Sequence, residues 1–130
     1  TYNWYSTIQG LWDKWNPYDY EFRINEPFRQ VLESEDWGVW KDRKTGNMHV
    51  NFLCDLDITG GNSGSPVLDS RGRLVGLAFD GNKESLGADS FFHPTLNKCV
   101  TLDIRYALWV IQKYAKAHYL LKEMDISFYL

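Results

Sequence analysis

The stretch DITGGNSGSPVLDSRGRLVGLAFDGN, residues 57–82, constrains the fold of this chain more than any other. A glycine-rich loop around Ser63 is followed by two short apolar runs, and the turn residues Ser70, Arg71 and Gly72 lie between these runs. Short apolar runs on either side of a glycine-containing turn are typical of a β-hairpin. The stretch therefore predicts a serine-bearing loop that leads directly into a hairpin.

The segments on either side of this stretch predict further strands. Residues 2–8 alternate enough to form a strand, and residues 48–54 place Val50, Phe52 and Cys54 on one face of another. Residues 98–103, after a polar loop, predict the last strand. The centre of the chain is therefore predicted to be rich in β-structure.

Two segments have helical spacing. Residues 25–36 predict a short helix with Asn25 as its N-cap and Pro27 in its first turn. Residues 103–124 predict a closing helix that begins at Asp103, with apolar residues at helical spacing: Ile104, Leu108, Ile111 and Ala115. The overall prediction is a mainly β chain with α-structure, closed by a C-terminal helix.

Composition excludes several classes of function. The 130 residues suit one domain, and 44% of them are hydrophobic, which is enough for a packed core. The net charge is −3 without a basic stripe, so we expect no nucleic-acid partner. No apolar run approaches the roughly 20 residues that span a bilayer. The spacing of the two cysteines and three histidines fits no metal motif, so we expect no metal or other cofactor.

Ser63 is the candidate nucleophile. A serine hydroxyl needs a base to accept its proton and N–H donors to stabilise the oxyanion, and the amides of Gly61 and Ser63 are candidate donors. The α/β-hydrolase elbow is excluded because residue 65 is serine and a hairpin, not a helix, follows. The alternative interpretation is a glycine-rich turn without chemistry. Residues 61–66 resemble Gly-Asp-Ser-Gly-Gly-Pro of the chymotrypsin-like serine peptidases, which favours the nucleophile.

A longer resemblance then covers roughly residues 5–125. The segments TGGNSGSPV, GLAFDGN and LDIRYALWVIQKYA, in this order, closely resemble the end of the S46 family of bacterial dipeptidyl peptidases. The resemblance implies a chymotrypsin-like double β-barrel with an inserted helical domain, of which residues 1–130 form the second barrel and closing helix. It implies an enzyme of the periplasm, or one secreted or held at the cell surface, that removes dipeptides from free peptide N-termini. The other barrel and the helical domain would lie upstream.

The family pattern assigns roles to four residues of this chain. It implies that Ser63 is the nucleophile, that the Gly61 amide belongs to the oxyanion hole, and that Asp80 binds the α-ammonium group of the substrate. Gly81 would line the pocket for the residue before the cleaved bond, where it leaves space and offers no counter-charge, so we expect no preference for Asp or Glu there. Lys83 departs from the aromatic residue expected at that position, and its effect stays open.

The base of Ser63 is expected to lie outside these residues. The family's catalytic histidine and aspartate belong to the upstream barrel, and none of His49, His93 and His118 matches that histidine. A lone histidine is more often a packed or surface residue than a catalytic one. We therefore predict that the isolated 130-residue chain is inactive.

Several alternatives stay open from the sequence. A glutamyl-endopeptidase-like protease would share TGGNSGSPV but lack the FDGN and DIRYALWVIQKYA continuation, and a non-catalytic β-domain could keep the loop as a binding module. Cys54 and Cys99 lie on strands that are neighbours in the family's second barrel, so they could form a disulfide or stay reduced. Whether the full-length enzyme forms a homodimer is also open.

Overall fold

The structure is a computed structural model that describes residues 4–82 and 95–126. The chain divides into two compact units, one of residues 1–6 and 49–104 and the other of residues 7–48 and 105–130. The first unit is built on a β-sheet and the second is mainly helical. The predicted mainly β chain therefore applies to the first unit only, and the chain as a whole is mixed α and β.

The sheet has five strands, arranged in the order β1-β2-β5-β4-β3. Their bounds are Tyr5–Thr7 (β1), His49–Cys54 (β2), Pro66–Leu68 (β3), Leu74–Gly81 (β4) and Cys99–Asp103 (β5). The pairs β2–β5, β5–β4 and β4–β3 are antiparallel. β5 is the last strand in the sequence but the central strand of the sheet, and it pairs with β2 on one side and with β4 on the other.

A tight turn at residues 69–73 connects β3 to β4 and forms the predicted hairpin. Gly72 adopts a φ of 75°, which an L-residue with a side chain rarely adopts. The Asp69 carboxylate accepts hydrogen bonds from the backbone N–H groups of Arg71 (2.8 Å) and Arg73 (3.0 Å). The hairpin prediction is confirmed, and Asp69 is the residue that holds its turn.

One face of the sheet carries the core of this unit. Val67, Ala78 and Cys99 are buried together, one from each of β3, β4 and β5. Partly buried apolar side chains pack against them: Phe52, Cys54, Ile58 and Val75. Burial of an apolar side chain stabilises a fold by about 1.5–3 kcal/mol, so this cluster stabilises the packing of β3, β4 and β5.

The helical unit contains α1 (Ile8–Lys14), α2 (Glu26–Glu33), a 3₁₀ turn (Gly38–Trp40), α3 (Ile104–Trp109), a π-helical turn (Val110–Tyr114) and α4 (His118–Glu123). Asn25 caps α2 as predicted, because its side-chain oxygen accepts a hydrogen bond from the Phe28 N–H at 3.0 Å. Trp109 is fully buried, and its indole N–H donates to the Asp36 carbonyl at 2.9 Å.

The closing helix predicted over residues 103–124 is interrupted in the structure. Asp103, its predicted N-cap, is the last residue of β5, and the helix ends in a π-type bond from the Ala115 N–H to the Val110 carbonyl at 2.9 Å. Lys116 then takes a left-handed φ of 51° before α4 begins. On a straight helix Trp109 and Leu121 would point about 120° apart. Across the break both side chains are fully buried, and periodicity alone does not reveal the break.

No helix in residues 4–82 or 95–126 is long and apolar enough to cross a membrane.

Candidate active site

Ser63 lies in the loop between β2 and β3, and two glycines shape this loop. Gly61 has a φ of 96° and Gly64 a φ of 87°, in the region that residues with side chains rarely adopt. Backbone hydrogen bonds from Asn62 to the Thr59 carbonyl (3.2 Å) and from Ser65 to the Asn62 carbonyl (3.0 Å) close two successive turns. Ser63 lies inside the second turn, and its side chain is exposed.

The loop is fastened to β4. The Gly64 N–H donates to the Ala78 carbonyl at 2.6 Å, and the Ala78 N–H donates to the Ser65 carbonyl at 2.9 Å. The Ser63 hydroxyl donates to the Phe79 carbonyl at 3.3 Å. The serine is therefore held beside β4 by backbone contacts on both sides of it in sequence.

A β-bulge lies at the point of contact. The pairing of β4 with β5 shifts between Ala78 and Asp80, so Phe79 is an extra residue without a partner of its own. A bulge bends a strand and redirects its backbone groups, and bulges are frequent beside active sites. The carbonyl that receives the Ser63 hydroxyl belongs to this extra residue. No sequence signal for the bulge was recognised.

Two backbone N–H groups of the serine loop are not used by the described residues. Among the described residues, neither the Gly61 N–H nor the Ser63 N–H has a hydrogen-bond acceptor. Free N–H groups in a glycine loop can bind a negatively charged oxygen. These are the two amides that the sequence analysis singled out.

Asp80 and Gly81 are the last two residues of β4, next to the bulge. The structure therefore brings the predicted nucleophile and both predicted substrate-binding residues to one end of this strand. The exposed Asp80 carboxylate accepts a hydrogen bond from the Gly81 N–H at 2.8 Å, and the described residues offer it no cationic partner. A carboxylate of this kind can bind a cationic group.

Asn82 anchors this end of β4, and the sequence analysis did not identify it. Its N–H donates to the Lys98 carbonyl (3.0 Å), its side-chain oxygen accepts from the Lys98 N–H (3.0 Å), and its side-chain N–H donates to the Leu96 carbonyl (2.8 Å). Asparagine supplies both a donor and an acceptor, so it can pair with a backbone in both directions. The Asp80–Gly81 segment is thus fastened beyond the bulge.

His49 is not the base of Ser63. The side chain is buried, and its ring stacks on the ring of Tyr5 with centroids 4.2 Å apart and planes 7° from parallel. A histidine in this setting is part of the packing, as the sequence analysis expected.

The register of the sheet places His49 far from the serine. Phe52 of β2 and Ala78 of β4 both pair with Thr101 of β5, so these three residues lie at one level of the sheet. His49 lies three residues before Phe52, and so about 10 Å along the strand direction from the level of Ala78. β2 and β4 are also two strands apart, which adds about 10 Å across the sheet. Ser63 contacts Phe79, the residue after Ala78. A proton-transfer hydrogen bond spans about 3 Å.

Neither of the other two histidines is a hydrogen-bond partner of Ser63 among the described residues. His118 begins α4 in the helical unit, and His93 lies outside the described residues, as does Lys83. The described ranges also contain no group of three or more His, Cys, Asp or Glu side chains that could hold a metal ion.

Comparison with known proteins gives one family. Residues 1–126 match the profile of the family described as Peptidase S46. Dipeptidyl-peptidase 7 of Capnocytophaga gingivalis is 44% identical over 124 residues, which make up 95% of this chain and 17% of that protein. An Asp/Glu-specific dipeptidyl-peptidase of the same species is 41% identical over 126 residues, 97% of this chain and 18% of that protein.

A solved structure agrees with this match. The crystal structure of Porphyromonas endodontalis DPP11 in complex with the dipeptide Arg-Glu superposes with a TM-score of 0.90 at 37% sequence identity, over 96% of this chain and 18% of that one. The chain thus spans less than a fifth of the length of these relatives. Because the family profile covers nearly all of its residues, the chain belongs to the peptidase S46 family.

Proposed function

We propose that this chain is the nucleophile-bearing part of a serine dipeptidyl peptidase that releases dipeptides from free peptide N-termini. The observation that carries the proposal is the contact of the Ser63 hydroxyl with the Phe79 carbonyl, which places the serine next to the exposed Asp80 in β4. The serine loop also has two backbone N–H groups without an acceptor among the described residues. Family membership supports the reaction class. The glutamyl-endopeptidase alternative is less well supported, because the family match extends through the FDGN and DIRYALWVIQKYA segments.

In the proposed reaction, the Ser63 oxygen attacks the carbonyl carbon of the second substrate residue while its proton passes to a histidine outside this chain. The Gly61 and Ser63 N–H groups stabilise the oxyanion of the tetrahedral intermediate. The intermediate collapses, the histidine protonates the leaving amine, and the shortened peptide departs. Water then attacks the dipeptidyl ester and returns the proton to Ser63.

Asp80 is proposed to select for a free N-terminus. Its carboxylate faces no cation within the described residues, and an α-ammonium group would supply one. An acylated N-terminus has no positive charge and would leave the carboxylate unpaired, which disfavours binding. This pairing would make the enzyme a dipeptidyl peptidase rather than an endopeptidase.

A pair of matched substrates tests the proposal. The full-length protein should cleave a dipeptidyl reporter substrate with a free amine and should not cleave its N-acetylated twin. Cleavage of both substrates would favour an endopeptidase. Cleavage of neither would favour the alternative of a binding domain without catalytic activity.

Replacement of Asp80 by asparagine is expected to lower kcat/KM for the free-amine substrate about 10- to 100-fold. This is the range for loss of one charge-assisted hydrogen bond. Asp57→Asn is the matched control, because Asp57 is an exposed carboxylate of the same loop region with no hydrogen bond or ion pair among the described residues. Equal losses in the two variants would argue against a specific role for Asp80.

Gly81 is proposed to leave the pocket for the second substrate residue open and uncharged. Relatives of both kinds, dipeptidyl-peptidase 7 and the Asp/Glu-specific enzymes, are similar to this chain to almost the same degree, so identity does not decide between them. We expect a panel of dipeptidyl substrates to be cleaved faster with apolar than with acidic second residues. A preference for Asp or Glu would contradict the role given to Gly81.

Two further proposals rest on family resemblance. The sheet unit would form the second barrel of a chymotrypsin-like double β-barrel, which its antiparallel strands and serine loop support. The full-length enzyme would act in the bacterial periplasm or at the cell surface, where peptides with free N-termini are substrates.

A further inference from the structure

Cys54 and Cys99 face each other across β2 and β5. They are direct partners in the antiparallel register, and both belong to the apolar cluster on one face of the sheet. Directly opposed residues of antiparallel strands have Cα atoms about 4.5–5.5 Å apart, which lies within the range of about 4.4–6.8 Å that a disulfide requires. The backbone therefore meets the main geometric condition for a bridge without rearrangement.

The two sulfur atoms also share a neighbour. The Thr101 hydroxyl lies 3.3 Å from the Cys54 sulfur and 3.5 Å from the Cys99 sulfur. Because one oxygen atom contacts both sulfurs, both side chains are directed to the same side of the sheet. Both cysteines are free thiols in this structure.

The two thiols differ in solvent exposure. Cys99 is fully buried, with 0% of its surface exposed, whereas Cys54 is only partly buried. Burial raises the pKa of the Cys99 thiol above its ordinary value. An external reagent should therefore react first with Cys54, and Cys99 should react only with a sulfur already inside the protein.

We propose that Cys54 and Cys99 form a reversible disulfide, in which Cys54 attacks a low-molecular-weight disulfide and Cys99 resolves the product. The Cys54 thiolate attacks one sulfur of glutathione disulfide and expels one glutathione thiolate. Cys99 then attacks the Cys54 sulfur of the mixed disulfide and expels the second glutathione thiolate, which takes up the Cys99 proton as it leaves. Two cysteine thiols are oxidised and one glutathione disulfide is reduced.

The bridge would act beside the proposed substrate site. Cys99 pairs with Cys54 on one side and with Gly81 on the other, so β5 connects the bridge to the end of β4. A covalent link between β2 and β5 should suppress local opening of these strands. This consequence is independent of whether the enzyme is a dipeptidyl peptidase.

The test uses the full-length protein incubated with glutathione disulfide, alkylated and then digested without reduction. Mass spectrometry should find the peptides of Cys54 and Cys99 joined, with the loss of two hydrogens. Hydrogen exchange of the β5 backbone should slow by about threefold or more in the oxidised protein.

Two single variants test the order of reaction. Cys99→Ser should accumulate glutathione on Cys54, and Cys54→Ser should leave Cys99 unmodified. A wild-type protein that carries glutathione on Cys54 without the joined peptide would overturn the proposal. So would two thiols that react only after denaturation, or equal glutathione incorporation in both variants.

Discussion

Replacing Ser63 with alanine in the full-length peptidase is expected to lower kcat by about 10⁴- to 10⁶-fold, with little change in the fold. The magnitude follows from loss of the nucleophile, because without it no acyl-enzyme can form and the oxyanion donors alone provide little catalysis. The side chain is exposed and makes one hydrogen bond with the described residues, to the Phe79 carbonyl, so its removal should leave the loop intact. Rates on the free-amine dipeptidyl substrate and circular dichroism measure the two effects.

Ser65→Ala is the matched control, since Ser65 lies two residues further along the same loop. Its backbone holds the loop through bonds to Asn62 and Ala78, and its side chain makes none with the described residues. Its alanine variant should keep kcat within about threefold of wild type, as is usual for a substitution away from the reacting atoms. An active Ser63→Ala variant, or equal losses in both variants, would exclude Ser63 as the nucleophile.

The chain on its own should show no turnover, because Ser63 has no histidine within hydrogen-bond reach among the described residues. Turnover by the isolated 130-residue chain that disappears in Ser63→Ala would show that a base lies within the chain. His93, which is outside the described residues, would then be the first candidate.

Features encoded by short-range chemistry were predictable from the sequence. Asn25 at a helix start, Gly72 in a tight turn and the glycines around Ser63 each determine the backbone within a few residues. The resemblance also implied that Cys54 and Cys99 lie on neighbouring strands, but their directly opposed positions depend on the register of β2 and β5.

Features that depend on distant partners were not predictable. The bulge at Phe79 exists only relative to the register of β5, and Asn82 bonds to Leu96 and Lys98, which lie 14 and 16 residues further along the chain. Likewise, the break at Lys116 depends on what the two halves of the helix bury. The bulge and Asn82 determine the structure at the end of β4, and the break determines the course of the helical unit. No local sequence pattern specifies any of the three.

Gly76 is a local sequence feature whose structural reason is a contact with a distant part of the chain. A glycine inside a strand often marks a close approach of another backbone. An ideal Cβ built on Gly76 would lie 2.5 Å from the Leu102 carbonyl oxygen and would overlap the methyl group of Thr101, which is fully buried. Backbone of the central strand β5 therefore occupies the space that a side chain would need.

Gly76→Ala is accordingly expected to destabilise the protein by about 3 kcal/mol or more, at the upper end of the cost of overpacking. The Leu102 carbonyl cannot move aside without disturbing the pairing of β4 with β5, which holds Phe79 and Asp80 beside Ser63. Urea unfolding of the full-length protein, with activity on the free-amine substrate, measures both consequences. Activity should fall with the folded fraction.

Gly60→Ala provides the control for the effect of added volume. Gly60 belongs to the same unit, and its ideal Cβ meets no atom of the described residues within 4 Å. Its φ is also outside the left-handed region, so alanine should change the free energy of unfolding by less than about 1 kcal/mol. If Gly76→Ala were as stable as Gly60→Ala, β4 and β5 could not approach as closely as described. The alignment of Phe79 and Asp80 with Ser63 would then need another explanation.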